Sequence, residues 1–342
     1  MQNEIIKKGS LLTEEGSLSN PGWAKDLILD YKRSAIKANK FRIKEWDYYC
    51  IINHETKKAI ALTIADNSYM GLLSATYLDL NIPMQETKTK IEAFTNGKYN
   101  MPETSKSGNI CVNHGGFFIS FEKNDTSRVL KVDCKDFLRE NSLKGEITLY
   151  QPEAMDTIVI ATPFSKDKKA FYYNQKVNCM PASGELYFGD EKVVFEHKNS
   201  FGVLDWGRGV WTYSNTWYWG SASGLVDNVP FGFNIGYGFG DTSNATENMV
   251  FYNNKAHKLT DVKFHIPEDD YLKPWKFTSS DNKFEMDFTP IIDRNSNTNA
   301  IVIKSLQHQI FGLFTGRVIL DSGEEISIKN FLGFAEKVVN KW

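Results

Sequence analysis

The residues best able to do chemistry stand in the string Asp205-Trp206-Gly-Arg208-Gly-Val-Trp211, followed closely by Trp217-Tyr-Trp219. A carboxylate and a guanidinium among indole rings must be paired to be tolerated away from water. An Asp–Arg pair walled by aromatic faces suits a pocket in which an acid acts and a developing cation is stabilised. Downstream, Glu247 in Thr246-Glu-Asn248 abuts the apolar Met249-Val-Phe251. A carboxyl desolvated there holds its proton to higher pH and becomes a general acid. His308, in Gln307-His-Gln309, is a further acid–base candidate. The expected site therefore has Glu247 or Asp205 as the acid, Arg208 as its modulator and His308 as a second titratable group. Trp206, Trp211, Trp217, Trp219 and Asn248 are the expected ligand contacts, and alternation puts Trp217 and Trp219 on one face.

The elements that must carry these residues are strands. Phe117-Phe-Ile-Ser-Phe, Ile147-Thr-Leu-Tyr, Thr157-Ile-Val-Ile-Ala, Val193-Val-Phe-Glu, Ile301-Val-Ile-Lys and Arg317-Val-Ile-Leu are short β-rich runs. Asn253-Asn254, Asp321-Ser-Gly323 and Phe188-Gly-Asp190 separate such runs and read as hairpin turns. Helical periodicity is confined to Leu27–Ala38 and Cys134–Glu140. Trp46-Asp-Tyr-Tyr, Ala59-Ile-Ala-Leu-Thr-Ile and Ser74-Ala-Thr-Tyr are echoed by Trp217-Tyr-Trp-Gly, Phe231-Gly-Phe-Asn-Ile-Gly and Glu247-Asn-Met-Val, 171 to 173 positions later. The expectation is an all-β protein of two antiparallel barrel or half-barrel units with few short helices, divided as 1–175 and 176–342.

Composition bounds the function. The chain has 342 residues and a formal net charge of −2, so it lacks the basic excess of a nucleic-acid surface. No apolar run is long enough for a transmembrane helix, and Met1–Gly16 has no apolar signal core, so a cytoplasmic protein without integral membrane association is expected. Cys50, Cys111, Cys134 and Cys179 have no C-x-x-C spacing, which leaves no metal or redox site and no cofactor to expect. Aromatics make up 13% of the residues and are unevenly placed, with eleven aromatics and nine glycines between Phe201 and Gly240. Glycine lets strands bend while rings opposite small residues wall a cavity.

At Asp205-Trp-Gly-Arg-Gly-Val-Trp the chain resembles an uncharacterised bacterial family, domain of unknown function 2804. The likeness extends over nearly the whole chain. It includes Pro21-Gly-Trp23-Ala, Lys44-Glu-Trp46-Asp-Tyr, Asn178-Cys-Met-Pro181-Ala-Ser-Gly184, Thr246-Glu-Asn248 and Phe331-Leu-Gly-Phe-Ala-Glu336. More distantly it is similar to calycin proteins with two lipocalin-type units: hydroxyneurosporene synthase, tocopherol cyclase and the AttH-like proteins. That similarity implies a large apolar, isoprenoid-like ligand, and it offers a rival role for part of the aromatic string. Lipocalin barrels plug one end with a G-x-W tryptophan under an arginine of the last strand, and Gly209-Val-Trp211 with Arg317 matches that pattern.

Three functions remain open on these residues. One is acid-initiated hydration, cyclisation or isomerisation of an isoprenoid- or lipid-like substrate. Another is non-catalytic carriage of such a ligand. The third is carbohydrate binding or cleavage by tryptophan platforms and the Asp205–Glu247 carboxyl pair. The expected partner is a hydrophobic small molecule, and no oligomeric state follows from the residues.

Overall fold

β-Branched and aromatic runs become strands wherever Asn, Asp and Gly can reverse the chain between them. The computed structural model describes residues 2–138, 141–300 and 303–341. Three short strands open the chain, β1 (Gly9–Ser10), β2 (Gly22–Ala24) and β3 (Leu29–Asp30), followed by two single-turn 3-10 helices at Arg33–Ala35 and Lys40–Arg42. An antiparallel meander follows: β4 (Ile43–Asn53), β5 (Lys58–Asp66), β6 (Met70–Asp79) and β7 (Met84–Ala93). Next come β8 (Gly108–His114), β9 (Phe117–Lys123), β10 (Ser127–Leu138), β11 (Asn141–Tyr150) and β12 (Ile158–Phe164). The long β13 (Asp167–Phe188), β14 (Glu191–Phe195) and β15 (Ser200–Val210) complete the first unit.

The second unit repeats the plan. Its meander is β16 (Ser214–Val226), β17 (Val229–Tyr237), β18 (Met249–Tyr252) and β19 (Lys255–Lys258). Then come β20 (Val262–His265), β21 (Trp275–Ser279), β22 (Phe284–Ala300), β23 (Ile303–Ile319) and β24 (Glu325–Lys341). The first sheet runs β7-β6-β5-β4-β15-β13-β11-β10-β9-β8, and the second runs β19-β18-β17-β16-β24-β23-β22-β21-β20. In both, the first strand of the meander pairs with the last strand of the unit. The sequence echo corresponds to these two meanders. The first sheet curls into a nearly closed barrel and the second into a half-barrel, so the fold is all-β with two lipocalin-like units.

Asn253-Asn254 turns the chain as the sequence marks it, and Asp227-Asn228, which was not marked, turns it in the same way. Asp227-Asn228 and Asn253-Asn254 each have φ near 50° and 64°, the paired left-handed residues of a tight hairpin. Three expectations need correction. The division at 175/176 falls inside β13, which stays in the first sheet over its whole length, and the sheets part instead at residues 211–213. The helical pattern from Cys134 onward lies in β10 as far as Leu138, and residues 139–140 fall outside the described ones. Arg317 does not cover Trp211: it points out of β23 to Glu285 and Glu325. The arginine that lies over an indole is Arg208, 4.3 Å from the Trp206 ring.

Each unit has its own core. Phe117, Phe121, Phe171, Tyr173 and Trp206 fill the first, and Phe233, Phe277, Phe284, Phe288 and Phe314 the second. A further apolar layer lies between the units, where Tyr48, Cys50 and Val203 meet Trp219, Phe311 and Phe334. Among the described residues no helix is long and apolar enough to cross a membrane.

Candidate functional site

Alternation along β15 sorts the Asp-Trp-Gly-Arg-Gly-Val-Trp string into two destinations. Even positions enter the first core, where Trp206 and Arg208 are fully buried. Odd positions face the seam between the units. Asp205 points there, and Gly207 leaves a flat seat for the Trp46 ring, which any Cβ at that position would strike. The expected Asp205–Arg208 pair is therefore not formed, because residues three apart on a strand face opposite ways. Arg208 Nη1 donates to Asp47 Oδ1 at 2.9 Å, to Trp46 O at 2.8 Å and to Gly207 O at 2.8 Å, and Nη2 donates to Pro102 O at 2.7 Å. With its donors taken by these acceptors, Arg208 holds the interior of the first unit.

Asp205 pairs with a residue that the sequence reading missed. Lys176, on β13, brings its ammonium 2.9 Å from Asp205 Oδ1 and 4.0 Å from Glu247 Oε2. The same ammonium lies 3.9 Å from the centre of the Trp219 ring. Asn174, two residues earlier on the same face, donates to Asp205 Oδ1 at 2.6 Å. Because one nitrogen touches both, the Asp205 and Glu247 carboxyl oxygens are at most about 7 Å apart. Their side chains keep 12% and 11% of their exposure, while Lys176 keeps 4%.

Glu247 hangs from the segment joining β17 to β18, and its neighbours mount it. Asn248 accepts from the Gly236 N–H at 2.7 Å and donates to Thr260 O at 2.9 Å, so it welds the backbone instead of lining the seam. Lys258 donates to Thr246 Oγ1, Asn248 O and Leu259 O, each at 2.9 Å. Burial pushes that amine down to about 7. Asn234 donates to Glu247 O at 2.9 Å and Oε2 at 3.1 Å, and itself accepts from Trp219 Nε1 at 2.7 Å. A side chain at Gly236 would collide with the Glu247 carboxyl, which explains that glycine. Burial raises the Glu247 carboxyl above the ordinary range against the pull of Lys176 and Asn234, and the Asp205 charge adds to the rise.

A third carboxyl, Glu336 on β24, also went unassigned in the sequence. It lies directly across from Trp219 in the β16–β24 ladder. Trp217 Nε1 and Gln309 Nε2 each donate to one of its oxygens at 2.9 Å. Burial outweighs both bonds and lifts its carboxyl to about 7. Gln309 in turn accepts from Arg294 at 2.7 Å. His308, its neighbour in sequence, faces the other side of β23. There it stacks on Tyr271 at 4.1 Å and meets Asp293 at 2.7 Å, so it is not part of this cluster.

The carboxyls sit beside a continuous group of rings. Trp211 packs edge-on against Trp46, Trp217 and Phe239 with centroids 5.3, 5.8 and 4.7 Å apart, and Trp46 stacks on Tyr172 at 5.9 Å. Trp217 and Trp219 do share a face, as alternation requires, and that face is the seam. Trp206 is apart from the rest, under Arg208 and edge-on to Tyr31 and Tyr173. Lys176 and Glu336 stand in mixed polar stretches, Asn174-Gln-Lys176-Val-Asn178 and Glu336-Lys337, so nothing local singled them out. Their partners were not readable, because strand pairing supplies them.

The family model described as Domain of unknown function (DUF2804) matches residues 2–342, and the chain belongs to that family. In sequence, no curated protein matches it. Among solved structures, kievitone hydratase from Nectria haematococca aligns over 97% of this chain and 98% of its own, at 11% identity and a TM-score of 0.52. CghA in complex with Sch210972 aligns over 97% of both chains at 10% identity, with a TM-score of 0.55. An AttH protein from Nitrosomonas europaea covers 90% of this chain and 96% of its own at 12% identity, with a TM-score of 0.49. At these identities the likeness is one of fold.

Proposed function

We propose that this family member holds an isoprenoid- or lipid-like small molecule at the seam between its units. There it transforms a carbon–carbon double bond by acid-initiated hydration, cyclisation or isomerisation. The observation that carries the reading is a charge imbalance in an apolar place. Asp205, Glu247 and Glu336 are three largely buried carboxyls, and among the described residues only Asp205 has a cation within hydrogen-bond distance: Lys176, 2.9 Å from it and 4.0 Å from Glu247. A low-dielectric site of this kind keeps protons on the carboxyls that lack a cation of their own.

Roles follow from the partners. Glu247, raised by burial, is the acid that protonates the alkene carbon. Asp205, salt-bridged to Lys176, takes the proton released when water adds or when the neighbouring carbon loses hydrogen. Trp217, Trp219 and Trp211 face the cation formed between those steps. Hydration is the first reaction to assay, since one of the fold neighbours is a hydratase.

The test is Glu247→Gln, assayed with apolar alkenes. It is expected to keep ligand binding and lose turnover, and unchanged turnover would remove Glu247 from the role. Native mass spectrometry separates the carrier reading, which requires an unmodified lipid to stay bound after purification. The carbohydrate reading draws least support, because Trp206, Trp211 and Trp219 are 0%, 8% and 5% exposed and offer no open platform.

A further inference from the structure

Most of the site is built on paired strands, and one part is not. Asp205, Lys176, Trp217, Trp219 and Glu336 stand on β15, β13, β16 and β24, whose ladder bonds fix them. Glu247 instead ends the 238–248 segment between β17 and β18, and Phe239 of the ring cluster begins it. Phe239 hangs between Gly238 and Gly240, with φ of +92° and +74°, a backbone that only glycine adopts readily. This wall can shift without breaking a sheet.

Its far end is held by Lys258, Asn234 and Asn248 within the second unit and, from outside that unit, by the start of the chain. Gln2 Oε1 accepts from the Thr246 N–H at 2.9 Å and from the Thr246 hydroxyl at 3.2 Å, while Gln2 Nε2 donates to Leu259 O at 3.2 Å. The Asn3 N–H donates to Asn244 O at 2.7 Å. The segment is itself tied to the first unit, because Asn3 O accepts from the Trp23 N–H at 2.9 Å and the Ile5 N–H donates to Trp23 O at 2.7 Å. Trp23 belongs to β2, which pairs with β12 of the first sheet.

We propose that Gln2 and Asn3 form a latch: the N-terminal strap crosses from the first unit and fastens the 238–248 loop of the second, which carries Glu247 and closes over the seam. Release of the latch loosens the stretch from Asn244 to Thr246 while Asn234, Asn248 and Lys258 keep Glu247 mounted, which makes this loop the entry path for a ligand. The latch gains its meaning from the reading of Glu247 as the acid, but its test needs neither ligand nor turnover.

Hydrogen exchange followed by mass spectrometry on the full chain makes that test. Gln2→Ala is expected to speed exchange of 238–248 about tenfold, the effect of losing the side chain's hydrogen bonds to Thr246 and Leu259, with strands 200–210 and 303–319 unchanged. Asn3→Pro, which deletes the donor to Asn244, is expected to do the same. Gln2→Glu keeps an acceptor for Thr246 and is expected to retain protection. Unchanged exchange of the loop in both loss variants, or a rise spread evenly over both sheets, would overturn the proposal. Either result leaves the assignment of Glu247 to be decided by Glu247→Gln.

Discussion

Replacing Glu336 by Gln removes a titrating group that the fold holds far from its ordinary range. In the folded chain this carboxyl is raised to about 7 from 4.5 by burial between β16, β23 and β24. The folded state therefore binds the proton more tightly than the unfolded state does. The stability that this one group contributes is fully present below about 4.5, declines as the pH rises towards 7, and is lost above that. Between pH 5 and pH 8 the loss from this one group is roughly 2–3 kcal/mol. Glutamine cannot ionise, so Glu336→Gln lacks this decline. The amide has its own penalty, because Trp217 and Gln309 both present N–H donors and only one finds the amide oxygen. That mismatch costs about 1–3 kcal/mol at every pH and cancels when each protein is compared with itself across pH. Urea unfolding at pH 5, 6, 7 and 8 then gives two curves that converge or cross as the pH rises. The gap should close by roughly 2–3 kcal/mol, which for a chain of this size is on the order of 3 °C in melting temperature. Infrared spectra at pH 6 supply a second reading: the wild type carries a protonated carboxyl C=O band that the variant lacks. Parallel stability curves together with an unchanged band would refute both the burial argument and the charge imbalance on which the proposed chemistry depends.

Other substitutions test the two buried ion pairs. Lys176→Met strands Asp205 without its cation and should cost about 3–5 kcal/mol, whereas Lys176→Met combined with Asp205→Asn recovers a good part of it. Strict additivity of the two changes in thermal unfolding would contradict the pairing. Arg208→Lys keeps the charge but cannot reach Asp47, Trp46 O, Gly207 O and Pro102 O together, so a loss of about 3 kcal/mol or more is expected. A melting temperature equal to that of the wild type would show that the charge alone suffices.

Strand positions and turns were legible in the sequence because local chemistry decides them. Asn253-Asn254 turns the chain by itself, and Trp217 with Trp219 must share a face on any strand. The pairing of Asp205 with Arg208 failed on the same rule. A spacing of three brings side chains together on a helix and sends them apart on a strand, and the same parity separates His308 from Gln309. What obscured the faces is that β15 is buried on both sides along its entire length, so no polar–apolar alternation marks which residues look inward. Gly207 was the usable mark. In a doubly buried strand a glycine flanked by Trp206 and Arg208 signals that something large lies flat on the other face, and Trp46 does. Reading Asp205 on that glycine's face would have turned it away from the barrel interior and towards the second unit. Lys176 and Glu336 were beyond that reach. Their meeting with Asp205 and Trp219 depends on the registers of β13 with β15 and of β16 with β24, and a slip of one residue in either ladder would exchange every face. Apart from Glu247 on its loop, the site is therefore a product of register, and its charged groups, Lys176, Asp205, Glu247 and Glu336, come from four separate parts of the chain.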